Sequence, residues 1–152
     1  MFSPEQLERI RLDMSGPLIG TRHTADEYLH GMCGMFAIAL ADRFKYSLYA
    51  ICDHREDGDK ANDQPLHFFA VDSSNRYIDV RGIMTDKKQL YDPFEDFIHG
   101  EPFVASSGNQ EIRNIINNNP NMTYDKFTAW YTAAQELIIQ YPVNYYLPPE
   151  VT

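Results

Sequence analysis

The chain has 152 residues and carries 22 acidic against 13 basic side chains, a formal net charge of −9. That balance excludes the lysine- and arginine-rich surface by which a non-specific nucleic-acid binder neutralises phosphates. An apolar fraction of 43% and an aromatic fraction of 13% exclude a disordered polymer, and the length suits one globular domain over residues 1–152 with a core that needs no metal or disulfide.

No stretch reaches the roughly 18 to 20 apolar residues of a membrane span, and Met1-Phe2-Ser3-Pro4-Glu5-Gln6 lacks the basic-then-apolar layout of a signal peptide. The expectation is a cytoplasmic protein with no membrane partner. In a reducing compartment Cys33 and Cys52 read as free thiols.

In chain order, Ser3-Pro4-Glu5 opens a short helix that Ser15-Gly16-Pro17 ends. Residues 18–32 are mixed and polar; Thr24-Ala25-Asp26-Glu27 has the pattern of a capping box or one helical turn, and the segment reads as a loop leading to Cys33. From Cys33 to Arg43 the apolar residues are nearly continuous, which predicts a central helix buried on most sides, with Ala37, Ala39 and Ala41 permitting close neighbours. Residues 46–52 have strand character, and residues 53–65 read as a polar loop.

Leu66-His67-Phe68-Phe69-Ala70-Val71, the turn-prone Asp72-Ser73-Ser74-Asn75 and Arg76-Tyr77-Ile78-Asp79-Val80 predict a hairpin closed by Gly82. Beyond it lie an aromatic stretch at residues 91–97, an asparagine-rich turn at residues 117–120, and a helix over residues 124–141. Residues 145–149 read as an extended end.

Cys33 stands at a predicted helix start, where the positive end of the helix dipole favours thiolate. His67 and Asp79 follow on strands, and residues paired across an antiparallel hairpin share a face. A turn centred on Ser73 sets His67 directly opposite Asp79. A turn centred one residue later keeps both on one face in diagonal contact, and a half-step would separate them.

The order of Cys33-Gly34-Met35-Phe36-Ala37-Ile38-Ala39-Leu40, Leu66-His67-Phe68-Phe69-Ala70-Val71 and Tyr77-Ile78-Asp79-Val80-Arg81-Gly82 resembles the papain-like and transglutaminase-like cysteine enzymes. The resemblance covers about residues 31–82. It implies Cys33 as nucleophile, His67 as base and then acid, and Asp79 as the group that orients the imidazole. Papain-like enzymes commonly place an oxyanion-stabilising glutamine upstream of the cysteine; here Gln6 lies in the first predicted helix, so Thr21, His23 and Tyr28 are the other candidates beside the Cys33 N–H.

His30 and Cys33 also form a His-x-x-Cys pair, but a tetrahedral metal site needs two more ligands. Cys52, His54 and His23 supply no second close pair, and no metal or other cofactor is expected. Cys52, inside a strand, reads as a core residue.

The expected fold is α+β: a central Cys33-bearing helix on a small antiparallel sheet, with N- and C-terminal helices covering the rest. The expected function is a cysteine-dependent acyl hydrolase or acyl transferase using Cys33, His67 and Asp79 on a protein or peptide-like substrate. The alternative is a non-enzymatic acidic interaction protein on a papain-like core, of the kind a bacterial or phage accessory factor would be, that binds a protein partner.

Overall fold

Apolar residues on every side of one helix force the architecture. In the computed structural model, which describes residues 25–57 and 60–148, helix α2 (Cys33–Phe44) buries Cys33, Gly34, Met35, Phe36, Ala37, Ile38, Ala39 and Leu40 without a break. Such a helix needs cover all round. A short helix α1 (Ala25–Leu29) precedes it, so the predicted approach loop contains a helical turn. Lys45 ends α2 in the left-handed region at φ 62°, donating its N–H to the Ala41 carbonyl.

Five antiparallel strands form one sheet, β1 (Ser47–Asp57), β2 (Lys60–Val71), β3 (Tyr77–Asp79), β4 (Gly82–Met84) and β5 (Glu101–Ser106), in the order β4-β3-β2-β1-β5. Helix α3 (Lys87–Tyr91) and a 3₁₀ turn (Asp92–Phe97) link β4 to β5; α4 (Asn109–Asn117), α5 (Tyr124–Gln140) and α6 (Pro142–Tyr145) follow. The mixture of helices with an antiparallel sheet is α+β, as expected, and α2 packs between β2 and the helices α4 and α5. No helix among the described residues is long and apolar enough to cross a membrane.

Residues 53–65 are not a loop. β1 and β2 continue as a paired arm from Cys52↔Pro65 out to Asp57↔Lys60, after a bulge at Ile51/Cys52. Cross-strand backbone pairing is joined there by His54 and Asp63, 2.6 Å apart, and Asp63 and Pro65 are exposed, so the polar composition of the segment hides a strand that its ladder reveals. The bulge absorbs Leu66 immediately before His67, and Pro65 sits beside it, where a strand tolerates a missing N–H. The helix expected near residue 3 lies outside the described residues.

The C-terminal segment is part of the body. Tyr145 is fully buried and its hydroxyl donates to the Val80 carbonyl at 2.8 Å. Arg76, paired with Asp72 at 2.7 Å, donates Nη2 to the carbonyls of Leu147 and Pro148 at 3.1 and 2.9 Å. The extended end expected over residues 145–149 is therefore anchored as far as residue 148, with Tyr145 in the core. Asn75, at φ 60°, lets the turn before β3 close, and its N–H reaches the Asp72 carbonyl at 3.0 Å.

Gly34 sets the approach of α4 to α2. A Cβ there would lie 2.8 Å from Ile112 Cγ2 and 3.4 Å from both Ile116 Cδ1 and a Phe68 ring carbon. Ile112 is fully buried, and its γ-methyl stands on a branched, stiff carbon. Gly34→Val is expected to destabilise the fold by about 1–3 kcal/mol through overpacking, read as a lower urea midpoint with an unchanged m-value.

Candidate active site

Cys33 is the first residue of α2, so its N–H is among the amides left free by the helix. Its sulfur accepts the Phe68 N–H at 3.4 Å, across from β2, and the residue is 8% exposed. Burial pushes the thiol pKa up, but the adjoining His67 imidazole and the N–H groups of Phe68 and Gly34 overcome this and leave it below its ordinary value.

His67 is fully buried on β2, directly after the bulge. Its ring stacks on Phe94 with centroids 4.4 Å apart and runs nearly parallel to Phe69 at 6.2 Å. Nε2 donates to Asp79 Oδ2 at 2.8 Å. Nδ1 is buried and has no hydrogen-bond partner, and with Nε2 committed to Asp79 it is the nitrogen left to face the neighbouring thiol. Desolvation alone would lower the imidazole pKa; the Asp79 carboxylate and the Cys33 sulfur together raise it to about 9.

The hairpin register corrects the direct pairing of His67 with Asp79. Ala70 pairs with Ile78 and Val71 with Tyr77, so the turn is centred one residue later than Ser73 and the register sets Asp79 beside Phe69. His67, two residues from Phe69 on the same face, meets Asp79 diagonally. The longer reach is closed by the side chains themselves, and the hydrogen bond is intact.

Arg81, which the sequence reading did not single out, holds the other side of Asp79. Its Nε lies 3.1 Å from both carboxylate oxygens, Nη2 lies 2.5 Å from Oδ2, and its backbone N–H donates to Oδ1 at 2.8 Å. Burial would raise the Asp79 pKa, but His67 and then Arg81 drive it down to about 2. Arg81 also donates to the carbonyls of Gln89 and Leu90, at 2.8 and 3.2 Å, fastening α3 against the site. The spacing Asp79-Val80-Arg81 ahead of Gly82 was a signal for this pair, since an aspartate at a turn accepts the N–H two residues on, and Val80 and Arg81 form the turn between β3 and β4.

Phe94 is the second residue missed. Its buried ring covers His67 on one face, and the Arg81 guanidinium lies 5.8 Å from its centroid. His30 packs against the same ring at 5.4 Å and against Phe97 at 6.1 Å. Among the described residues no group of three or more His, Cys, Asp or Glu side chains is placed to hold a metal ion.

Of the oxyanion candidates, Tyr28 is fully buried and its hydroxyl donates to the Trp130 carbonyl at 2.8 Å, which commits it elsewhere. Gln6, Thr21 and His23 lie outside the described residues. Cys52 is half-buried rather than a core residue, and burial followed by the Asp63 charge pushes its thiol pKa up. It has none of the activation that surrounds Cys33.

The carboxylate leaves a pH signature. Because the folded Asp79 pKa is about 2 against 3.8, its stabilisation is present above about pH 4 and is lost as the pH falls towards 2. The His67 contribution has the opposite sign, present below 6.5 and lost as the pH rises through about 9. Between pH 4 and 2, urea unfolding is expected to show the wild type losing on the order of 2 kcal/mol more than Asp79→Asn does. Equal acid slopes for the two proteins would contradict the assignment.

Comparison of the chain with protein-family models, curated proteins and solved structures finds no match in any of the three.

Proposed function

We propose that the protein is a cysteine-dependent acyl hydrolase or acyl transferase, with Cys33 as nucleophile, His67 as acid and base, and Asp79 as the group that orients the imidazole. One observation carries the reading: a buried imidazole is bonded through Nε2 to a buried carboxylate, and its Nδ1 is left without a hydrogen-bond partner beside a thiol at a helix start. The same reading takes the α+β core as papain-like or transglutaminase-like, and the substrate as protein or peptide-like.

His67 takes the thiol proton, and the sulfur attacks a carbonyl carbon. A C–S bond forms while the carbonyl π pair moves onto oxygen, next to the free N–H of Cys33. On collapse the bond to the leaving nitrogen, oxygen or sulfur breaks, and that atom takes the proton from His67. Water or an amine then attacks the thioester, gives its proton to His67, and releases the acyl group and the thiolate. Asp79 stays ionised throughout, stabilising the imidazolium, and Arg81 is a positioning residue acting through it.

Alkylation tests the first step. With the Cys33 pKa lowered and the His67 pKa near 9, a thiolate–imidazolium pair persists below the range in which an ordinary thiol ionises. Iodoacetamide at pH 6.5 is expected to modify Cys33 at least about tenfold faster than a small free thiol, and His67→Ala to abolish the advantage. A rate no faster than the free thiol, unchanged in His67→Ala, would leave the chain as a non-enzymatic interaction protein.

A further inference from the structure

A cavity of about 230 Å³ adjoins Cys33 at the start of α2. Its wall is formed by Met32, Phe68, Ile115, Ile116 and Met122, with Asn119 as the polar side chain. Four of these, Ile115, Ile116, Asn119 and Met122, come from α4 and the turn that follows it, outside the segment that carries the Cys33-His67-Asp79 pattern. Ile115 is 48% exposed, an apolar side chain left in water beside a nucleophile.

The volume lies below the roughly 300–1,000 Å³ of pockets that enclose drug-sized ligands, so it suits one side chain or a short acyl chain rather than an extended group. Among the described residues no carboxylate, ammonium, guanidinium or imidazole lines it, and a charge placed there would lose its water with none of them to replace it. Met32 and Met122 give the wall flexible thioether chains that adapt to an aliphatic guest. Gly31, at φ 103°, has no described residue within 4 Å of a Cβ position beside the start of α2. Asn119 Oδ1 accepts the Asn121 N–H at 3.0 Å, which leaves its NH₂ as a donor at the cavity wall for a polar atom of the guest's backbone.

Resting on the thiol chemistry proposed above, we infer that this cavity selects the acyl side of the substrate: it receives an aliphatic group of leucine or methionine size attached next to the attacked carbonyl, and it rejects charged groups there. The aliphatic group belongs either to an amino-acid residue or to a short fatty acyl chain, which present the same hydrocarbon to the same wall.

Chloromethyl ketones read the selection directly, because the Cys33 sulfur forms a bond to the methylene carbon as chloride leaves with the bonding pair. The full chain is treated with N-acetyl-leucine, N-acetyl-glycine and N-acetyl-aspartate chloromethyl ketones and with the hexanoyl chloromethyl ketone. Rates come from intact mass and are normalised to those of glutathione. The leucine or the hexanoyl probe is expected to react at least about tenfold faster than the glycine probe, with the aspartate probe slowest; whichever leads identifies the source of the hydrocarbon. Ile115→Asp, at an exposed position that tolerates a charge in the fold, is expected to bring that ratio below about threefold. The matched change Ile139→Asp, on a 58% exposed residue of α5 outside the cavity, is expected to keep it. Normalised rates that are alike for all four probes, alongside fast His67-dependent alkylation by iodoacetamide, would overturn the cavity assignment while leaving the thiol chemistry standing. Slow alkylation by iodoacetamide would remove both.

Discussion

A carboxylate with no access to water is the constraint around which this fold is organised. Asp79 is 2% exposed, and an ion in that position is tolerable only if every oxygen lone pair is matched. His67 and the fork of Arg81 supply the match, and each partner is fixed by something else: His67 by the β-bulge behind it and the Phe94 ring over it, Arg81 by the carbonyls of α3. Removing one partner would leave a buried charge exposed to low dielectric, so the hairpin, the 3₁₀ turn and α3 are bound into one unit. The imidazole consequently has one nitrogen engaged and one without a hydrogen-bond partner.

The charges alternate along a line from Cys33 through His67 and Asp79 to Arg81. Alternation lets burial, which by itself disfavours each charge, coexist with a lowered thiol pKa and a raised imidazole pKa. Arg81 stands at the far end, where its guanidinium keeps the carboxylate ionised without touching the sulfur. The cavity that also adjoins Cys33 is walled mainly by methionine, isoleucine and phenylalanine side chains, so hydrocarbon and ion cluster both border the sulfur.

What the sequence revealed follows from how strongly each segment is marked. The buried helix and the hairpin carry dense apolar patterns, and they also carry Cys33, His67 and Asp79; chain order and strand alternation were enough to bring those three into one hypothesis. The exact register was not legible, because turns centred on Ser73 and one residue later both keep His67 and Asp79 on a shared face. β5 was invisible as an edge strand with no fully buried residue, and α4 because Ile112 is its one fully buried residue among asparagines and charges. Phe94 belonged to an aromatic stretch whose role depends on a 3₁₀ turn folding back over His67, a long-range contact that no local pattern encodes.

The hydroxyl of Tyr145 on the Val80 carbonyl has a bearing on when the site comes into being. Val80 lies between Asp79 and Arg81, and its carbonyl receives that hydroxyl from a residue 65 positions later. Arg76, at the mouth of the same hairpin, is held by the still later carbonyls of Leu147 and Pro148. A ribosome therefore releases Cys33, His67 and Asp79 well before the groups that seat their hairpin, and contacts of such sequence separation form late. The nascent chain therefore carries its thiol without the assembled His67–Asp79–Arg81 cluster beside it until residues 145–148 have emerged to seat the hairpin.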